Sequence, residues 1–443
     1  MKYQNNIPAT KVERATKFVQ TGIKVGGNYI RHYAKKAFDS SVTREDLHEE
    51  NAADIYSALS ELKGSALKVA QMMSMDRNLL PRAYTERFAM AQYSAPPLSG
   101  PLVVKTFTNY FGKTPQQMFD TFGMNAVNAA SIGQVHQATK DGMKLAVKIQ
   151  YPGVADSVRA DLKMVKPFAV RLMNLNERDI DKYMDEVETK LLEETDYRLE
   201  LRRSREISEA CAHLTGLRFA NYYPEYSSDR VLTMDWMEGR HLDEFLKTNP
   251  SQEVRDKIGQ ALWDFYDYQV HTLRTVHADP HPGNFLMQPD GTLGVIDFGC
   301  VKEIPENYYV NYFTLINPDI LSDEGLSEKT FFGLEFLHES DSPAERRFYV
   351  DLFREMIVLL GKPFHEEVFD FGDQAYFDGV FEYADRLTKM KELRESKVAR
   401  GSKDALYINR TYYGLYAMLN QLQARVRTSS PNWIWELKTN VRQ

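Results

Sequence analysis

The sequence predicts an α+β fold, with two lobes behind a helical N-terminal extension. Three observations carry this. Residues 11–37 and 45–73 show helical periodicity. Short β-branched runs bounded by Asn, Gly and Asp replace it between about 119 and 151. Helical patterns return from 239 onward, interrupted by a loop and hairpin at 277–298. A chain of 443 residues suits two or three domains, or one two-lobed enzyme with extensions. The expected divisions are a helical extension at 1–100, a first lobe at 101–237 and a helical second lobe at 238–443.

The first helix rests on Val12, Ala15, Val19, Gly22, Gly26, Ile30, Tyr33 and Ala37, which follow a three-four spacing. Lys17, Lys24 and Arg31 recur every seven residues on another face. Residues 1–37 carry eight basic side chains and one acid, a net +7, so the rest of the chain stands at −14. A basic amphipathic helix can lie on an anionic membrane surface, or dock on the protein's own body with its charges in water. Both readings stay open for residues 11–37. Gly22 and Gly26 permit close packing, but Lys24 between them argues against a spanning helix.

Leu59, Leu62, Ala66, Val69 and Met73 form the apolar stripe of the next helix, and Pro81 ends or restarts the one after it. Ser-Ala-Pro-Pro-Leu-Ser-Gly at 94–100 is the clearest linker. Ser131 to Gln137 and Leu145 to Tyr151 read as strands joined by an Asp141-Gly142 turn. A long charged helix is expected near 178–212, then strands around 218–224 and 230–236. The C-terminal third reads as all-helical.

Composition removes several function classes. At 43% hydrophobic and 26% charged residues, the chain is neither disordered nor fibrous. No apolar run approaches the ~18 residues of a spanning helix, and no secretory signal is recognised. Two cysteines, Cys211 and Cys300, exclude a disulfide scaffold and point to a reduced cytoplasmic setting, with peripheral membrane contact through the basic helix as the one membrane option. The acidic body argues against nucleic-acid binding.

The strongest chemical signal is His277-Ala278-Asp279-Pro280-His281-Pro282-Gly283-Asn284, followed by Ile296-Asp297-Phe298-Gly299. Asp279 and Asn284 have the H-x-D-x-x-x-x-N spacing of a phosphoryl-transfer loop. One carboxylate is needed at the nucleophile. An amide oxygen and a second carboxylate are needed to hold Mg²⁺, a hard cation that prefers oxygen. Asp279 fits the first role, and Asn284 and Asp297 the second. His277 and His281 beside these acids raise a zinc reading, but prolines flank His281 and the H-E-x-x-H spacing is absent. His277 reads instead as a structural hydrogen-bonding residue.

Leu145-Ala146-Val147-Lys148 matches the V-A-I-K strand whose Lys meets the α/β-phosphates of ATP. A buried Lys needs an acid partner. The helical stripe Ile180, Met184, Val187 and Leu191 continues to Glu194, so helix phase favours Glu194 as that partner. Asn128-Ala129-Ala130-Ser131-Ile132-Gly133-Gln134-Val135-His136 stands where a Gly-rich loop would be, and alanine's Cβ obstructs close approach to phosphates. Gly64, Lys68 and Gln71 share a helical face apart from the apolar stripe, which by itself reads as solvated surface.

Together these motifs resemble the UbiB/AarF-type atypical kinase family, over roughly residues 10–310. The resemblance rests on Lys68-Val69-Ala70-Gln71, the alanine-rich loop, Glu194-Thr195-Asp196, the His277 to Asn284 loop and the Asp297 triplet. It implies a two-lobed protein-kinase-like fold that binds Mg²⁺ and ATP or ADP, with Ala129, Ala130, Ser131, Ile132, Gly133, Gln134 and Val135 at the nucleotide. It also implies that the Lys68 helix covers the active-site cleft and meets the E-x-D acids, and that Lys148 pairs with Glu200. Helix phase and resemblance therefore disagree on the partner of Lys148, and a helix break near Asp196 would reconcile them. Ala70 and Asn128 depart from the family pattern without removing a charged catalytic group.

The expected activity is ATP hydrolysis, or phosphorylation of a small or lipid-like acceptor, in support of isoprenoid-quinone biosynthesis as the resemblance implies. Two other classes share parts of the pattern. An aminoglycoside- or choline-type phosphotransferase has the same loop but leaves its cleft open. A nucleotide-binding pseudokinase scaffold would not need Lys148, Asp279, Asn284 and Asp297 together.

Overall fold

The computed structural model describes residues 44–62, 98–129, 132–173, 177–390 and 400–428, with scattered positions in 13–32, 392–393 and 431–434. The Lys68 motif, Ala130 and Ser131 lie outside the described residues. The chain divides into two compact units, one of residues 1–202 with 221–236 and one of 203–220 with 237–443.

In the first unit, α1 (Arg44–Leu62) buries Leu47, Ile55, Leu59 and Leu62. Positions 13–32 that are described are helical, and they meet α1 through polar groups. Asn28 donates to Asn51 and Asp54 at 3.1 and 2.8 Å, and Lys24 pairs with Asp54 at 2.6 Å. Arg31 stands 3.7 Å from Glu50. Two members of the basic stripe thus face acids of α1, while Val19 and Ile23 are exposed. Charge complementarity helps to seat the helix, although the Lys24 and Arg31 side chains stay 64% and 59% exposed, and Val19 of the expected apolar stripe is left in water.

α2 (Gly100–Phe111) begins at Ser99 with Pro101 in its first turn and ends at Gly112, whose left-handed backbone (φ 65°) lets its N–H reach Thr108. It buries Val103 and Phe107. α3 (Pro115–Met118) opens with a Thr114/Gln117 capping box. Then come β1 (Thr121–Phe122), β2 (Asn128–Ala129), β3 (Gly133–Lys140) and β4 (Met143–Gln150). Asp141 and Gly142 both have positive φ, the signature of a two-residue hairpin turn with the native twist.

Two helices follow, α4 (Val154–Met173) and α5 (Glu177–Glu194), packed on each other. A separate α6 (Tyr197–Ala210) comes next, and the chain passes from one unit to the other within it. The single charged helix expected at 178–212 is therefore two. Asp196 makes the break: its carboxylate accepts from the N–H groups of Arg198 and Leu199 at 3.1 and 3.0 Å, capping the new helix. β5 (Leu217–Phe219) belongs to the second unit, and β6 (Val231–Asp235) closes the first unit's sheet, ordered β1-β3-β4-β6 with β2 also on β3. Leu145, Val147, Ile149 and Val231 form its core with Val103 and Phe107.

In the second unit, α7 (Leu242–Leu246) and α8 (Gln252–Tyr268) precede a π-helical turn at Gln269–Leu273. β7 (Thr275–His277), β8 (Phe285–Met287), β9 (Leu293–Val295) and β10 (Val301–Glu303) follow. β7 pairs with β10, and β8 pairs with β9, which also takes β5 in parallel. Helices α9 (Glu306–Thr314), α10 (Pro318–Ser322), α11 (Glu324–Gly333) and α12 (Pro343–Gly361) lead to β11 (Val368–Asp370). α13 (Gln374–Lys389), α14 (Lys403–Leu422) and β12 (Arg425–Arg427) complete the described chain. β11 and β12 pair antiparallel, so the C-terminal third is not all-helical. α8 carries the centre of the core, with Ile258, Leu262, Trp263, Phe265 and Tyr266 buried. Gly259 lets α8 close on the chain before β12: a Cβ there would stand 2.4 Å from Ala424 Cβ.

Burial here has a pH consequence. Burial holds His136, His271, His277 and His365 below their ordinary value, His271 at about 3. These imidazoles fold neutral, so their contribution is present above about pH 6.5 and is lost as pH falls below it. A histidine kept neutral throughout costs about 2 kcal/mol by pH 5. Burial raises Asp264 and Asp267, the latter to about 7, so they act in the opposite sense between about pH 4 and 7. Four imidazoles against two carboxyls predict a melting temperature that drops between pH 7 and pH 5, with a shallower slope in His271→Gln. A flat or rising profile on acidification would contradict this.

Candidate active site

Each unit carries one half of the expected chemistry. In the first, Lys148 lies on β4, opposite Val135 on β3 and Leu232 on β6. Its ammonium donates to both oxygens of Glu200, at 2.8 and 3.1 Å. The Glu200 side chain is 1% exposed and that of Lys148 13%, so both charges depend on the pair. Tyr197 sets its ring 5.2 Å from the same ammonium. The partner of Lys148 is thus Glu200, and helix phase, which favours Glu194, is corrected. Met184, Val187 and Leu191 are buried as the stripe requires. The break at Asp196 resets the phase, so Glu194 ends α5 half-buried while Glu200 turns inward from the first turn of α6.

The alanine-rich loop is fastened into this lobe. Ala129 on β2 pairs with Gln134 on β3. Ile132 is buried, and its carbonyl accepts from Tyr151 N–H at 2.9 Å. Gly133 has no room for a side chain: a Cβ would stand 2.7 Å from Ile149 O and 2.8 Å from Tyr197 Oη. Gln134 is buried, and its Oε1 accepts from Leu98 N–H at 2.6 Å. Its Nε2 lies 2.8 Å from His136 Nε2, and His136 Nδ1 lies 2.7 Å from Gly123 O. Phe122 stacks on the His136 ring at 5.0 Å. Ile132 and Gln134 therefore spend their side chains inside the lobe, which the motif alone does not reveal.

In the second unit, β7 and β8 hold the ends of the His277 to Asn284 loop, and β9 and β10 hold the ends of the Asp297 triplet. Pairing joins the two: Ala278 N–H donates to Cys300 O at 2.9 Å, and Ile296 N–H to Asn284 O at 3.1 Å. Asn284 Nδ2 donates to Asp279 O at 2.8 Å. That fixes the amide so that its oxygen is the atom left for a cation. Asp297 Oδ1 accepts from Gly299 N–H at 2.8 Å, which orients the carboxylate. An oriented amide oxygen and an oriented carboxylate form an all-oxygen donor set, and these residues fit Mg²⁺.

His277 is fully buried beneath the loop. Tyr266 Oη lies 3.1 Å from its Nδ1, and Phe285 and Phe298 meet its ring edge-on at 6.1 and 5.8 Å. The backbone N–H of His277 donates to Gln269 Oε1 at 2.9 Å. Burial lowers its pKa, so it is a neutral hydrogen-bonding post under the loop. His281 Nδ1 accepts from Gly283 N–H at 3.0 Å, a local turn contact. Asp279 Oδ1 meets Arg410 Nη2 at 2.5 Å. Sequence reasoning missed Tyr266, Gln269 and Arg410, because they reach the loop from α8, the π-turn and α14 without any motif of their own.

A sheet lysine paired with a helix glutamate beside a five-stranded sheet, and an Asp/Asn loop joined to an Asp-Phe-Gly turn in a mainly helical unit, define a protein-kinase-like protein. Residues 90–325 match the model of the ABC1 atypical kinase-like domain, more than half of the chain, and the chain belongs to that family. It is 27% identical over 386 residues to the mitochondrial atypical kinase COQ8 of Saccharomyces cerevisiae, covering 85% of this chain and 76% of that one. It is 23% identical over 450 residues to the probable serine/threonine-protein kinase abkA of Dictyostelium discoideum, covering 96% and 79%. Among solved structures it is similar to the Rv3197–erythromycin complex from Mycobacterium tuberculosis, with a TM-score of 0.58 and 28% identity over 88% of this chain and 96% of that one.

Proposed function

We propose that this atypical kinase binds Mg²⁺–ATP or –ADP and either hydrolyses ATP or passes its γ-phosphate to a small or lipid-like acceptor, in support of isoprenoid-quinone biosynthesis. The observation that carries the reading is the clasp of Asn284 on Asp279, joined through the Ile296–Asn284 contact to Asp297. Lys148, held by Glu200, binds the α/β-phosphates. Asn284 and Asp297 hold the metal, which when bound draws charge off the phosphate oxygens. Asp279 orients or deprotonates the attacking hydroxyl. Because Ile132 and Gln134 are occupied within their lobe, nucleotide contact at those two positions falls to the backbone. Lys68 and Glu194 complete the reading as the cover over the site. Similarity to COQ8 supports the quinone assignment.

The test is thermal denaturation with a panel of adenine nucleotides, with and without Mg²⁺, since a ligand of the native state raises its melting temperature. A shift that needs both Mg²⁺ and nucleotide is expected, and no shift with any nucleotide would end the proposal. Peripheral membrane contact belongs to the same reading. Among the described residues no helix is long and apolar enough to cross a bilayer, and Val19 and Ile23 are exposed on the basic helix. Val19→Asp with Ile23→Asp is expected to weaken sedimentation with anionic liposomes several-fold while leaving the nucleotide shift intact. Equal sedimentation would make this helix a packed surface element only.

A further inference from the structure

The family model ends at residue 325, yet the loop it contains is met from outside by α14. Four residues of that helix line one face at three- and four-residue spacing: Asp404, Tyr407, Arg410 and Gly414. Asp404 pairs with Lys302 of β10 at 2.8 Å, with both side chains mostly buried, and Tyr407 lies under the same ammonium at 5.2 Å. Arg410 reaches Asp279. Gly414 closes the contact, since a Cβ there would stand 2.4 Å from Pro280 Cγ and 2.8 Å from Pro280 O. α14 is thus seated on both strands of the chemistry, on β10 after Asp297 and on the loop at Asp279 and Pro280.

Arg410 is the one member of this face that touches a reacting group. Its side chain is 14% exposed and that of Asp279 is 20% exposed, so the attraction is little screened by water. Around this pair, Tyr266 of α8 and His277 at the head of the loop face Asp279, Asp297 faces His277, and Cys300 and Tyr407 face Arg410. Among these described groups Arg410 brings the fixed positive charge. A phosphoryl-transfer transition state is loose and asks little proton abstraction of the protein, so orientation of the nucleophile matters more than basicity.

We propose that Arg410 is a positioning residue for the phosphoryl-transfer loop: its guanidinium, 2.5 Å from Asp279 Oδ1, fixes the direction of the carboxylate that orients the attacking hydroxyl. The inference rests on the function proposed above. It assigns part of the reaction machinery to a helix beyond the matched domain.

The test compares Arg410→Gln and Arg410→Lys with the wild type in three readouts: Mg²⁺–nucleotide melting shift, kcat and KM of ATP turnover, and a ligand-free melting cycle with Asp279→Asn. Gln removes the ion pair, so kcat is expected to fall about tenfold or more, with KM and the nucleotide shift little changed. Lys keeps the charge and is expected to restore part of kcat. A folded Gln variant with wild-type kcat, or a loss that Lys does not partly restore, would reduce Arg410 to packing. Should Gln not fold, Lys decides, and an unaltered kcat overturns the proposal. If the wild type shows no Mg²⁺–nucleotide shift, it is the function that fails, and non-additive melting losses of Arg410→Gln and Asp279→Asn still judge the ion pair.

Discussion

Asp297→Asn is expected to remove Mg²⁺-dependent nucleotide binding while leaving the fold in place. Asn retains an oxygen for Gly299 N–H, which Asp297 Oδ1 accepts at 2.8 Å, so the turn keeps its shape. What is lost is the charge, and a divalent cation bound by one amide and one carboxylate has no other protein anion in this proposed set to replace it. A ligand present at a hundred times its Kd stabilises the native state by about 2.7 kcal/mol, and a hundredfold weaker Kd leaves about 0.4 kcal/mol. The melting shift with Mg²⁺–ATP should therefore nearly vanish, against an unchanged melting temperature without ligand. Wild-type Mg²⁺–ATP affinity in this variant would refute the metal assignment.

The second large effect is expected at Lys148 and Glu200, and it is one of stability as well as binding. Glu200→Leu strands an ammonium that is 13% exposed, and Lys148→Met strands a carboxylate that is 1% exposed. Breaking a buried pair from one side costs about 3–5 kcal/mol, whereas replacing both charges by apolar groups of similar size is often neutral. Each single variant should melt roughly 10 °C lower, at about 2–4 °C per kcal/mol for a domain of this size. Lys148→Met with Glu200→Leu should recover most of that loss. None of the three should bind Mg²⁺–nucleotide as the wild type does. If the double variant is no more stable than the singles, the loss is one of packing and not of charge.

The site was legible in the sequence where chemistry and local geometry coincide. Asp279, Asn284 and Asp297 are set by short loops between short strands, so their spacing nearly determines their placement. The Asp141-Gly142 hairpin was readable for the same reason. Partner choice was not. Periodicity propagates along a helix until something stops it, and here the stop is a single carboxylate, Asp196, which caps a new helix from within a run of strong helix formers. The β11–β12 pair escaped because each strand is three residues long and their partners are separated by more than fifty positions. The exposure of Val19 was not legible because Lys24, Asn28 and Arg31 meet acids of α1, an interaction between helices that one helix's periodicity does not contain. Arg410 was invisible for a similar reason, since nothing local marks an arginine on a long helix as the neighbour of a residue 131 positions earlier.

Gln134 has a wider reach than its position in a loop motif implies. Its side-chain oxygen moors the backbone of Leu98, just ahead of α2. A shortened side chain at 134 would release that mooring, so a change made beside the nucleotide loop would be felt 36 positions earlier in the chain, at the entry to the first lobe.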